Sequence, residues 1–296
     1  MDALRWLIPW EPSPTVVICF LAAAWLYLRG ARRSPVTAPW LRQLAFWSGL
    51  LILYIGLHTH LDYYAEHEFF VHRLQHLGLH HMGPFLIALA YPGAAFRRGL
   101  PLSWRVHMLK SLLEWTPLRW ILNVLFNPFV AAILFVGLVY FWLWPAVHFD
   151  AMLDWRLYHV MNWSMAVDGL LFWWLILDSR PRPPARLAPG VRVLLPLAAI
   201  FPQILIGAYI TFAHGDLYPI YALCGRAFGG ITQSTDQYLG GLILWIPSSM
   251  MSVLGALIAF RNWLRLDTCA RLPRQQRQRE QRRAQSLLAG RTGKLV

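Results

Sequence analysis

The stretch "HEFFVHRLQHLGLHHM" at residues 67–82 places five histidines in sixteen residues of a chain otherwise poor in ionisable groups. Neutral imidazole is a ligand for several first-row transition metals, and imidazole together with a thioether, here Met82, suits copper. His72, His76 and His80 are spaced by four, so on a helix they line one face. With a rise of roughly 1.5 Å per residue, each step along that face is about 6 Å. Two neighbours can hold one ion, and all three can serve two ions at different depths or a relay into the membrane. His81 points away from this stripe.

Other segments offer partners. His58 and His60 close an earlier apolar run, with Asp62 just beyond. His159 opens a later run in "WRLYHVMNW", with Asn162 one turn on and Asp168 two turns further. A carboxylate at that depth needs a partner, either a proton or a histidine. The expected metal ligands are therefore His72, His76, His80 and His159. His58, His60, Asp62, His81, Asn162, Asp168 and Asp236 are additional or supporting positions. Asp62 or Asp236 is suited to orient a ligand imidazole, and Asp236 is equally suited to cap a helix. A solitary histidine near a membrane surface is more often a hydrogen-bonded filler, and His148 and His214 are read that way.

These residues need a scaffold, and the composition names its kind. Charged residues are 14% of the chain against about a quarter in soluble domains. The chain is 57% hydrophobic, with 16 Trp, 16 Phe and 11 Tyr. A crossing helix needs roughly 20 apolar residues, and seven candidates emerge, at about 14–30, 42–59, 68–92, 122–146, 156–178, 191–213 and 236–261. Residues 97–120 mix Arg, Lys and Trp with Leu and read as an interfacial amphipathic piece. "DSRPRPPARLAPG" reads as a stiff cytoplasmic loop, and 214–235 as the largest outer connection.

The expected fold is an all-α polytopic membrane bundle of about seven transmembrane helices, N-terminus outside and C-terminus cytoplasmic. Residues 1–260 form the membrane domain and 261–296 a basic cytoplasmic tail. On this topology all but Arg5, Arg73, Arg156 and Arg226 of the 27 Lys and Arg residues fall inside. Ten of the eleven histidines fall on or near the outer face, His107 being the exception. The net charge of +13 is concentrated in inner connections and tail, which points to anionic lipid headgroups and not to nucleic acid. Asp2, Glu11 and the early prolines do not make a cleavable signal peptide of the usual form. Cys19, Cys224 and Cys269 form no CxxC pair, which excludes a thioredoxin-like redox motif or a zinc ribbon.

Several ordered stretches resemble the CtaG-like membrane proteins of haem–copper cytochrome c oxidase assembly. They are "LDYYAEHEFFVHRLQHLGL" with His72, Gln75 and His76, then Pro84, "NPFVAAILFVGLVYFWLWP" at 127–145, "LYHVMNWSMAVDGLLFWW" at 157–174 and "TDQYLGGLILWIP" at 235–247. Together they cover about residues 58–258. The resemblance implies a bacterial inner-membrane protein needed for an active oxidase, concerned with copper delivery or maturation at the outer face. It implies an oxidase subunit or a periplasmic copper chaperone as partner. The chain departs from the family pattern at Asn162 and Leu143, where the family usually carries histidine, and at His80 and His81, where it usually carries Met and an apolar residue.

Three functional readings follow. The first is a copper-binding assembly factor. The second is a membrane oxidoreductase, with haem clamped between histidines such as His76 and His159 or with a copper centre that turns over substrate. The third is a copper permease, for which the inner halves of the spans offer few ligands, chiefly His107, Met108, Met250 and Met251.

Overall fold

The computed structural model describes residues 9–35 and 37–292, with backbone alone at 108–110, 113 and 272–292. Asp2 and Arg5 lie outside the described residues, as do the tail side chains beyond Arg271. The described residues are helical throughout apart from connections and one isolated bridge between Pro9 and Thr59.

Helices α1 (Pro14–Arg32) and α2 (Trp40–His58) come first, α1 opening on a proline whose missing N–H costs nothing at that position. A short helix α3 (His60–His67) starts where the Thr59 hydroxyl accepts from the Leu61 amide. The next stretch runs unbroken from α4 (Phe69–His76) through a wide π turn at Leu77–Met82 into α5 (Gly83–Ala90). Leu77 and Met82, at the two junctions, both keep right-handed helical angles. The helix stops at Tyr91, which takes a left-handed conformation with φ 53°.

Shorter pieces follow: α6 (Gly93–Gly99), a π turn at Trp104–Leu109, α7 (Lys110–Glu114) and α8 (Thr116–Leu125). Then come α9 (Pro128–Leu143), α10 (Pro145–Leu153), α11 (Trp155–Ile176), α12 (Pro189–Phe212), α13 (Ile220–Leu223) and α14 (Gln233–Thr292).

Among the described residues, four helices are long and apolar enough to cross a membrane, namely Pro14–Arg32, Trp40–His58, Pro189–Phe212 and Gln233–Arg271. The α8–α9 pair makes a fifth if its two arms, bent by 71°, count as one span. The expected run 122–146 is thus two helices. Pro128 disfavours a helical Asn127, and the Asn127 side chain instead caps α9 by accepting from the amides of Phe129 and Val130.

The α4–α5 helix lies at the centre, packed on α2, α11 and α14, while α12 and α14 pair along much of their length. Two glycines set its closest approaches. A Cβ at Gly169 of α11 would collide with the His80 carbonyl, and one at Gly240 of α14 would collide with the Phe69 ring. Within 178–190, a buried arginine organises the loop. Arg192, expected among the inner charges, sends its guanidinium to the carbonyls of Asp178, Arg180 and Leu187.

Candidate functional site

One turn of α4 brings His72 and His76 together, their ring centroids 4.4 Å apart and inclined by 36°. Both are buried, His72 completely. Neither nitrogen of His72 has a hydrogen-bond partner, and the Nδ1 of His76 has none either. The remaining nitrogen, His76 Nε2, lies 3.1 Å from Asn162 Oδ1. A carbonyl oxygen there requires the proton on Nε2 and leaves the lone pair on Nδ1. Buried polar atoms are almost always satisfied, so three ring nitrogens without partners in one place stand out from the rest of the core.

The surroundings hold the pair rigid. Gln75, between the two histidines in sequence, donates through Nε2 to the Gly56 carbonyl at 2.7 Å and to Asp62 Oδ1 at 2.6 Å. The Tyr158 hydroxyl donates to the same Asp62 oxygen at 2.7 Å, and its ring lies 5.9 Å from that of His72. Asp62 therefore acts on the pair through Tyr158 and Gln75 and does not itself orient an imidazole. Burial pushes the Asp62 carboxyl above its usual range, against the pull of the Tyr158 and Gln75 hydrogen bonds. His148 stands edge-on to His72 at 5.2 Å. Both its nitrogens are engaged, with the Trp142 carbonyl at 3.0 Å and the Tyr221 hydroxyl at 2.9 Å.

Arg73 is the neighbour that spacing did not reveal. Expected at the outer surface, it is 3% exposed, with its guanidinium over the Phe69 ring. Its Nε and one terminal nitrogen have no partner. The charge is close enough to act on His72, His76 and His148 alike.

The entrance of α4 is pinned from the far end of the chain. Asp236 accepts from the amides of Phe69 at 3.1 Å and Phe70 at 2.8 Å, and pairs with Arg226 at 2.8 Å. Arg226 also binds Glu68 at 3.0 Å. Asp236 is thus a cap, but of α4 and not of its own helix.

The other expected residues fall into separate groups. The π turn rotates His80 off the stripe, so it does not continue the line from His72 and His76. Its Nε2 meets Asp168 Oδ2 at 3.1 Å, and its ring stacks on Phe135 at 4.2 Å. Asp168 thereby gains the partner its depth demands. His81 Nε2 lies 3.5 Å from the Gln203 amide nitrogen.

His58 bonds the Tyr54 hydroxyl and the Ser13 amide, and His60 packs edge-on to Trp10. His159 is half-buried, with ring contacts to Trp155 and Tyr158. Tyr158 and Asn162 are the α11 residues that face the pair. Met82 is 39% exposed, whereas both histidines of the pair are buried. Among the described residues, no three His, Cys, Asp or Glu side chains converge as a ligand set. His72, His76, His80 and His159 are thus not gathered into one set, and His72 and His76 are the two of them that adjoin.

Of the four positions of departure from the family pattern, His80 and His81 lie in the groups just described. Asn162 bonds His76, and Leu143 is buried in the apolar cluster that includes Tyr158 and Met161, its carbonyl accepting from Tyr218.

Fold and site define a helical membrane protein with a buried pair of adjoining imidazoles, three of whose ring nitrogens have no hydrogen-bond partner. A family model described as cytochrome c oxidase caa3 assembly factor (Caa3_CtaG) matches residues 25–266, and the chain belongs to that family. It is also similar to uncharacterized proteins of Mycobacterium bovis and Mycobacterium tuberculosis, each 26% identical over 250 residues. One from Mycobacterium leprae is 26% identical over 251 residues. The alignments cover 80% of this chain but 36% of each relative, so the chain spans just over a third of their length. No solved structure matches the chain.

Proposed function

We propose that this protein carries copper to a haem–copper cytochrome c oxidase during assembly, with His72 and His76 as the cargo site. The observation that carries the reading is the set of three open ring nitrogens on two touching imidazoles. Imidazole suits copper, and membership of an oxidase assembly family supports the destination.

The site favours a singly charged ion. No carboxylate shares it, and the buried Arg73 charge makes each added positive charge more costly. Two imidazoles without a full ligand set bind an ion that can be passed on. His80 is committed to Asp168 and belongs to the scaffold of this reading, as does His148.

Seven crossings are obtained by adding two 22-residue helices, 69–90 and Trp155–Ile176, to the four long apolar helices and the bent pair. At about 1.5 Å per residue each is long enough for a core of roughly 30 Å. The basic inner connections favour an outside N-terminus and a cytoplasmic C-terminus. The cluster then lies toward the periplasmic side of a bacterial inner membrane. An oxidase subunit or a periplasmic copper chaperone is the exchange partner, and the basic tail meets anionic lipid.

The test is oxidase maturation in cells lacking the protein and complemented with variants. His72→Ala plus His76→Ala, at normal protein level, is expected to leave an oxidase with haem but without its copper, partly restored by added copper. Full oxidase activity with the double variant would overturn the reading. A haem absorption band in the purified protein would move it to the oxidoreductase class.

A further inference from the structure

At the end of the bundle opposite the histidine pair, a cavity of about 440 Å³ opens between the start of α2, the end of α5 and the latter part of α14. Three arginines line it, Arg42 from α2 and Arg261 and Arg265 from α14. Arg261 and Arg265 are one turn apart on the same helix, where like charges repel. None of the three makes a hydrogen bond or ion pair through its side chain among the described residues. The acids next in sequence to lining residues are committed elsewhere, Asp178 to Arg180 at 2.8 Å and Asp267 to Arg271 at 2.7 Å. Ser179 and Asn262 add polar groups to the wall. Beneath them the lining turns apolar, with Leu89, Leu177 and Ile258. Tyr91 borders the cavity in its left-handed conformation, a strained backbone that marks functional positions more often than others.

We infer that this cavity binds an anionic phospholipid, the phosphate held by Arg42, Arg261 and Arg265 and an acyl chain laid over Leu89 and Ile258. The volume is that of a ligand pocket, and basic pockets between membrane helices are a known means of holding such headgroups. A free phosphate would satisfy the arginines but leave the apolar floor bare, which favours the lipid. The site takes only the first basic residues past position 260, Arg261 and Arg265, and does not use the basic residues beyond Arg271, whose contact with a membrane needs no cavity.

The test is titration of the full-length protein in detergent with phosphatidylglycerol, phosphatidylcholine or inorganic phosphate, followed by native mass spectrometry. Phosphatidylglycerol is expected to bind at least tenfold more tightly than phosphatidylcholine and to resist millimolar phosphate. Arg42→Gln, Arg261→Gln and Arg265→Gln together should abolish the preference. Arg277→Gln, Arg282→Gln and Arg283→Gln in the tail should leave it intact. If the pocket triple does not fold, Arg261→Gln alone should weaken binding about fivefold. Equal binding of the two lipids, loss of the preference in the tail variant, its survival in the pocket variants, or displacement by phosphate would each overturn the inference.

Discussion

His72 and His76 face one another across a single helical turn with ring centroids 4.4 Å apart, and three of their four ring nitrogens are unbonded. Two imidazoles enclosed by apolar and aromatic side chains would ordinarily find backbone or hydroxyl partners, as His148 does beside them. Here three of the surrounding polar side chains are already committed. Tyr158 and Gln75 serve Asp62, and Asn162 serves one nitrogen of His76.

Restoring a histidine at the position facing the pair should strengthen it. Asn162→His removes the carbonyl that holds the proton on His76 Nε2, so that His76 can present either ring nitrogen to the ion and residue 162 adds an imidazole beside it. Copper affinity is expected to rise by about tenfold or more, equivalent to ~1.4 kcal/mol, while transfer to an acceptor slows. Competition titration with a copper chelator measures the first and stopped-flow transfer the second. Unchanged affinity would show that residue 162 does not face the ion.

Removing the buried charge should act in the same direction by another route. Arg73→Gln relieves the repulsion between guanidinium and cargo, and copper affinity should increase by about tenfold, consistent with a charge acting through a partly polarisable interior. The gain should be larger for a divalent than for a monovalent ion. A weaker affinity in a folded Arg73→Gln protein would contradict the electrostatic argument.

The cap on α4 is a stability element. Asp236→Ala strips the Phe69 and Phe70 amides of their acceptor and leaves Arg226 with Glu68 alone. Breaking such a buried pair costs about 3 kcal/mol. Thermal unfolding in detergent should register a loss of several degrees. A double-mutant cycle with Arg226→Met should return a coupling of about 1 kcal/mol or more, and additive effects would remove the pair from the account.

Glu66 gives the α3 end of the bundle a pH dependence. Burial, with Asp62 and Glu11 adding negative charge nearby, pushes its carboxyl up to about 8. The folded state thus keeps a proton that the unfolded chain releases near the ordinary glutamate range. Its contribution is complete below that range and is lost as pH rises toward about 8. Unfolding temperature should therefore fall between pH 5 and 9, and Glu66→Gln should flatten the slope. An unchanged slope in the variant would assign the pH dependence to another group.

How much of this was legible in the sequence follows from the range of each interaction. Long apolar runs announce a helical membrane protein because length and composition are local properties, and the four-residue spacing of His72 and His76 is local too. The π turn at Leu77–Met82 is not marked by composition, and it takes His80 out of the stripe and into contact with Asp168. Asp236 reads as a cap from its position, but the helix it caps lies 166 or more residues away in sequence. Arg73 follows the pattern of an interfacial arginine, and only the packing of Phe69 against Gly240 and of neighbouring helices around it buries the charge. His159 and Tyr158 are adjacent in sequence, and the rotation of α11 decides which of them meets the pair.

The measurement that bears most directly on the central claim is the copper content of the purified protein after loading with cuprous ion under reducing conditions. The wild type should retain about one ion per chain with an X-ray absorption signature of imidazole nitrogen ligands. His72→Ala and His76→Ala should each lose it, while His159→Ala and His80→Gln, if folded, retain it. Copper held equally by wild type and the His72→Ala plus His76→Ala protein, or by neither, would contradict the account.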